Sequence, residues 1–215
     1  MQARAREVVL GRRVSPEDVE TFERCMSVGG VALFPADTVY GLATEPDSRE
    51  GVRRLYALKG RRPDRPAAGM FFSLELAHAA LPELGERTRH AVGRLLPGGV
   101  TLLLPNPARR FPLACGPEPE RLGVRVPKLT GALAPLAAAR WPVLQSSANR
   151  SGGADARRLA DVDESIRARV DLQLDGGELP GTPSTVVDLT RYEDHGEHAI
   201  LREGAVPAAA VAAVL

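Results

Sequence analysis

Val31-Ala-Leu-Phe-Pro-Ala-Asp-Thr-Val-Tyr-Gly-Leu42 decides the fold. Its first half is an apolar run that stops at Pro35, and a short apolar run bounded by a breaker reads as a buried strand. A polar turn follows, Asp37 and Thr38, closed by Gly41. The stretch thus delivers a polar loop from a strand end, where α/β folds carry functional residues. A second stretch, Leu58-Lys-Gly-Arg-Arg-Pro63, sets Lys59, Arg61, Arg62 and Arg65 just behind a helix. Together the two read as one site for an anionic ligand, a nucleotide above all. The alternative is an edge strand beside a solvated basic loop, with Lys59 merely favoured by the negative end of its helix.

Outward from this centre, helices and strands alternate. Ser15-Pro16-Glu17-Asp18 opens a helix with a cap, a proline at the first position and acids near the positive dipole end, and that helix runs to Ser27 before Gly29-Gly30. Ser48 caps a helix whose apolar side is Val52, Leu55, Tyr56 and Leu58. Gly69–Phe72 reads as a short strand, Leu74–Leu81 and Glu86–Leu96 as helices, and Val100–Leu104 as a strand stopped by Pro105. The proline-rich 106–120 segment reads as a surface loop. Leu122-Gly-Val-Arg-Val126 alternates as a strand does; its Arg125 is either on a wet face or buried with an anionic partner. Gly131–Arg140 reads as an alanine-rich helix. Trp141–Leu144 leads into a polar loop, Gln145-Ser-Ser-Ala-Asn149, which either cradles a phosphate or ribose or is an ordinary turn. A short helix over Asp161–Arg169, strands at Asp171–Leu174, Ser184–Leu189 and Ala199–Arg202, and a closing helix over Val206–Leu215 complete the chain. The expectation is one α/β domain with a twisted mixed sheet flanked by helices, occupying 15–215 behind an N-terminal extension, 1–14.

The totals narrow the function. The 215 residues are 44% hydrophobic, enough for a sizeable core. Net charge is +1, which speaks against a general nucleic-acid binder selected by bulk charge. Cys25 and Cys115 stand apart from each other and from any Cys or His cluster, so neither zinc nor a disulfide framework is expected. No stretch reads as a signal peptide or membrane span, and the expected address is the cytoplasm. None of the histidines sits in a strand-end loop with a carboxylate partner, and no Walker or dinucleotide fingerprint is present. What remains are cations and small polar groups near strand ends. Such an inventory suits phosphoryl or nucleotidyl transfer, which needs alignment and charge neutralisation more than covalent help.

Pro-Ala-Asp-Thr-Val-Tyr-Gly-Leu at 35–42, Lys-Gly-Arg at 59–61 and Ser-Ala-Asn at 147–149 resemble, in order and spacing, the motifs of the YrdC-type threonylcarbamoyl-AMP synthases. Pro97-Gly-Gly-Val-Thr101, Gly123-Val-Arg-Val126, Ser184-Thr-Val186 and Arg202 extend the resemblance from about Gly29 to Gly204. It implies a single-domain, YrdC-like fold with a concave basic face. It also implies a reaction: threonine, bicarbonate and ATP give threonylcarbamoyl-AMP and pyrophosphate, and a separate transferase complex then modifies tRNA. Carried over, Lys59 and Arg61 would be the catalytic cations. Lys59, Arg61, Arg65, Ser147, Asn149 and Arg202 would meet ATP, with magnesium arriving on its phosphates and no dedicated metal site. Thr38, Arg125 and Ser184 would hold threonine. The longer two-domain relatives carry a C-terminal extension that is not expected here.

The sequence departs from the family pattern on the substrate side. Ala36 stands where the family has threonine, Arg62 precedes the proline that usually follows Lys-x-Arg directly, and Ala67 replaces a leucine. A missing substrate hydrogen bond at 36 would cost about 1 kcal/mol. Two rival readings follow from these features: an RNA-binding module using the basic concavity, and a paralogue making another carbamoyl-adenylate.

Overall fold

The computed structural model describes residues 6–8 and 13–215. Most of the expected N-terminal extension, 1–14, lies outside the described residues. The described part contributes a strand, β1 (Arg6–Val8), which pairs in parallel with Leu172–Leu174, while Val14 is buried in the core.

Local chemistry sets the helix starts. In α1 (Pro16–Ser27), the Ser15 hydroxyl accepts the Asp18 N–H at 3.2 Å and the Asp18 carboxylate accepts the Ser15 N–H at 2.8 Å, a reciprocal capping box. Ser48 opens α2 (Arg49–Lys59) and Ser73 opens α3 (Leu74–Ala80) through equivalent cap bonds to Gly51 and Leu76. Helix α2 ends at Gly60, whose left-handed φ of 59° suits a residue without a Cβ. The remaining helices are α4 (Glu86–Leu95), α5 (Pro112–Cys115), α6 (Glu164–Arg167), α7 (Tyr192–His195) and α8 (Ala208–Ala212). The helix expected over Gly131–Arg140 is a 3-10 helix over Gly131–Ala138. Pro135 lies inside it, lacks an N–H and cannot join an α-helical ladder.

The strands after β1 are β2 (Ala32–Pro35), β3 (Tyr40–Thr44), β4 (Ala68–Met70), β5 (Val100–Pro105), β6 (Arg121–Arg125), β7 (Val143–Ser147), β8 (Leu172–Leu174), β9 (Thr185–Asp188) and β10 (Ala199–Arg202). Among the described residues they form one mixed sheet in the order β1-β8-β2-β3-β7-β4-β6-β5-β9-β10. Two expectations are corrected here. Gly41 does not close the polar turn but lies inside β3, because Pro35 already pairs with Tyr40 and the turn is complete by Val39. Gln145-Ser146-Ser147 is not loop but the end of β7, paired antiparallel with β3.

The two faces of the sheet have different fates. In β5, Val100, Leu102 and Leu104 are buried while Thr101, Leu103 and Pro105 are half-buried. The same alternation buries Leu122 and Val124 of β6 and Val187 of β9. These residues join one core with Ala91, Val92 and Leu95 of α4. On the strands β8, β2 and β3 the packing helix is α1, whose Phe22 meets Phe34 and Phe72 with ring centroids 5.4 and 5.6 Å apart. The face bearing Thr101, Gly123, Gln145 and Val186 lines a cavity instead.

Candidate active site

The cavity measures about 420 Å³, within the range of small-ligand sites. Its floor is a row of register partners across the sheet: Gln145 of β7 pairs with Ala68 of β4, Ala68 with Gly123 of β6, and Gly123 with Leu103 of β5. The two central positions have almost no side chain, and this is what leaves room above the sheet. Beyond them, Thr101 pairs with Val186, and Val186 with Arg202. Of the residues expected at a site, Arg61, Arg125, Ser147, Ser184 and Arg202 all line this cavity.

Arg125 resolves the alternative left open by its sequence. It is buried at the end of β6 and pairs with Asp37 of the β2–β3 turn, Nη2 to Oδ1 at 2.6 Å, the two side chains being 4% and 7% exposed. The same nitrogen approaches the Thr38 hydroxyl at 3.3 Å, and Asp37 Oδ2 accepts the Lys128 N–H at 3.1 Å. Arg125 Nε is buried with no protein partner. Burial pulls its guanidinium down from the ordinary value; Asp37 opposes this, and the nearby charge of Arg202 adds to it. Arg125 is thus held rigid by one carboxylate with a donor to spare, ready for a second anion.

Lys59 and the Ser147–Asn149 segment form a second unit. The Lys59 ammonium is buried and donates to the carbonyl of Ser147, to the carbonyl of Asn149 at 2.8 Å and to Asn149 Oδ1 at 3.0 Å. The Ser147 hydroxyl donates to Asn149 Oδ1 at 2.7 Å, and Asn149 Nδ2 donates to the Gly153 carbonyl at 2.5 Å. Desolvation first, then the charge of Arg61, pushes the Lys59 pKa down to about 8. Lys59 and Asn149 are not among the residues lining the cavity; they brace Ser147, which does line the cavity. Arg61 does reach it: Nη2 donates to the Pro66 carbonyl at 2.6 Å, the cation sits 5.8 Å from the Tyr56 ring centroid, and Nε is buried with no protein partner.

At the far wall, Arg202 Nη2 donates to the Ser184 carbonyl at 2.7 Å, and the Ser184 and Thr101 hydroxyls lie 2.7 Å apart. Arg65 is exposed and is not among the residues lining the cavity; its carbonyl accepts the Tyr56 hydroxyl at 2.6 Å. Thr38 touches the site through Arg125. Ala36 is fully buried in the core and is also absent from the cavity wall. Three participants escaped the sequence reading. Asp37 was visible only as a turn residue, since its partner lies 88 positions away. Arg121 lines the cavity and pairs with Asp188 at 2.7 Å; its spacing of two and four from Gly123 and Arg125 was the available signal. Gln145 stands in a polar stretch that reads as loop.

Among the described residues, no group of three or more His, Cys, Asp or Glu side chains stands where it could hold a metal ion, and no helix is long and apolar enough to cross a membrane.

Residues 24–204 match the family model Sua5_yciO_yrdC, described as telomere recombination. The chain belongs to this family. A threonylcarbamoyl-AMP synthase of Pyrococcus abyssi is 31% identical over 180 residues, covering 83% of this chain and 52% of that protein. One from Chromohalobacter salexigens is 34% identical over 167 residues, covering 77% and 89%. The crystal structure of P. abyssi Sua5 complexed with L-threonine superposes with a TM-score of 0.82 at 28% identity, over 94% of this chain and 58% of that one. The chain spans about half the length of the Pyrococcus and Bacillus subtilis relatives it matches. The expected YrdC-like α/β architecture is borne out by these likenesses and by the sheet itself.

Proposed function

We propose that this protein makes threonylcarbamoyl-AMP and pyrophosphate from L-threonine, bicarbonate and ATP. The observation that carries the reading is the convergence of Arg61, Arg125 and Arg202 with Ser147 and Ser184 on one cavity. Membership of the family, the names of its relatives and the threonine-bound Sua5 structure support the product and threonine, and the motif resemblance adds bicarbonate and ATP. The acting domain is 15–215, with 1–14 as an N-terminal extension that adds an edge strand, and the proposed compartment is the cytoplasm.

Threonine's amine takes up bicarbonate with loss of water, giving the N-carboxylate. One oxygen of that carboxylate bonds to the α-phosphorus of ATP as the α–β bridging bond breaks, and pyrophosphate leaves with the electron pair. Arg125, held in place by Asp37, takes the amino-acid carboxylate with Ser184 beside it. Arg61 and Arg202 neutralise charge on the phosphates, where arginine's fork suits the oxygens. Lys59 acts by fixing Ser147 and Asn149, and its charge adds to the field on the nucleotide. Magnesium accompanies the phosphates. Such an ion needs only one or two protein carboxylates and waters, and Asp155 on the cavity wall fits that part. The product, a mixed anhydride, requires a transferase that passes the acyl group to tRNA adenosine.

The test is pyrophosphate release by the purified chain with ATP and magnesium. Release that requires both threonine and bicarbonate, and that Arg61→Ala lowers by about 100-fold or more through lost transition-state charge stabilisation, is the expected result. Absence of release with any amino acid would overturn the reading.

A further inference from the structure

Gln145 is a buried polar side chain without an explanation in the fold. It is 5% exposed, lines the cavity and, among the described residues, has no hydrogen-bond partner for its amide. The amide atoms themselves are not sealed in the core: they open on the cavity, where a donor and an acceptor that no protein group takes up are left for a ligand. Its position is not accidental packing either. The amide leans over Gly41, so that a Cβ at 41 would lie 2.7 Å from Nε2. Gly41 is the register partner of Ser147, and Val39 of the polar turn stands on the same cavity wall. Across the floor, Gln145 is joined through Ala68 to Gly123; Ser147, assigned to the nucleotide, lies two positions on from Gln145 in β7, and Arg125, assigned to the amino acid, two positions on from Gly123 in β6.

We propose that Gln145 recognises the carbamate of the N-carboxylated amino acid. This rests on the synthase reading and deepens it. A carbamate, R–NH–COO⁻, always presents its N–H beside one carboxylate oxygen on a common edge. A primary amide presents a C=O and an N–H in the complementary order. The two close a pair of parallel hydrogen bonds, the amide oxygen accepting the carbamate N–H and the amide nitrogen donating to the carboxylate oxygen. The pairing leaves the second carboxylate oxygen free to attack the α-phosphorus. It also discriminates, because free threonine presents an ammonium and bicarbonate has no N–H. Gln145 is thus a specificity residue for the carboxylated form of the substrate rather than for its side chain.

The experiment is steady-state pyrophosphate release by the full chain, varying bicarbonate, threonine and ATP in turn, for wild type, Gln145→Glu and Gln145→Leu. Glutamate keeps the shape but replaces the donor with a charge that repels the carbamate. The expected result is a rise of at least tenfold in the KM for bicarbonate, with the dissociation constant for ATP unchanged. An unchanged dependence on bicarbonate overturns the proposal, as does a rise confined to the KM for threonine, which would mean that the amide reads the amino acid itself. Should wild type release no pyrophosphate, the synthase reading fails on its own account. A second measurement needs no variant. The glutamines of the chain are Gln2, Gln145 and Gln173, so the side-chain amide resonances are few. One pair must shift when threonine and bicarbonate are added together with a non-hydrolysable ATP analogue. No shift, or the same shift with threonine alone, refutes the assignment.

Discussion

Asp37→Asn removes the one carboxylate that balances Arg125. The pair is almost fully buried, with side chains 4% and 7% exposed and 2.6 Å between Nη2 and Oδ1. Asp37 also accepts the Lys128 N–H through its other oxygen. Asparagine keeps a single oxygen, so its NH2 group must face either the guanidinium or the Lys128 amide, and both are donors. The charge of Arg125 is then left buried and unpaired, which costs about 3–5 kcal/mol. At about 2–4 °C per kcal/mol for a domain of this size, the melting temperature should fall by about 6–20 °C. Circular dichroism melts and urea titrations without ligand measure both quantities. The double variant Asp37→Asn/Arg125→Met supplies the control. With both charges gone, an apolar side chain of similar length fills the space, and replacement of buried pairs in this way is often neutral. The double variant should therefore recover most of the loss. A single variant that loses less than about 1 kcal/mol, or a double variant no more stable than the single, would refute the view that Asp37 exists to hold Arg125.

The Lys59 ammonium titrates near 8 in the fold against 10.5 ordinarily, the shift being downward and caused by burial. Between those values the unfolded chain binds the extra proton, so this group's contribution makes stability rise with pH across that window. Deprotonation also takes the charge and one donor from the rim, so ATP affinity should fall as pH rises through about 8. Calorimetric titration at neutral and alkaline pH checks this, and a flat affinity would exclude a role for the Lys59 charge. Gly41→Ala would put a Cβ 2.7 Å from Gln145 Nε2 and 3.2 Å from Phe34 Cε1. The glutamine can yield, but Phe34 is fixed against Phe22 and Phe72, so a loss of about 1–3 kcal/mol is expected in urea unfolding. A loss below about 0.5 kcal/mol would mean that the close approach at 41 is slack.

What could be read from the sequence follows from how local each signal is. The caps at Ser15, Ser48 and Ser73 are decided within four residues, and the helices begin where those residues say. Strand β6 declares itself by alternation because one face meets the core and the other does not, whereas β5 shows as an apolar run stopped by Pro105. Strand β3 failed that test: every residue from Tyr40 to Thr44 is buried, so no alternation exists to be seen, and its Gly41 imitates a turn. Strand β7 failed for the opposite reason. A strand that lines a ligand cavity puts Gln145 and Ser147 where a core strand would carry apolar side chains, and so it looks like loop. The site was legible as a set of cations near strand ends, but not as a set of pairings. Asp37 and Arg125 meet only because β6 and the β2–β3 turn end at the same rim, and no local pattern connects them. The same physics makes Gln145 informative once the sheet is assembled. An amide that looked ordinary in a polar stretch is, on the cavity wall, a donor and an acceptor with no protein partner among the described residues, and a substrate that meets both at once is the simplest reason for it to be there.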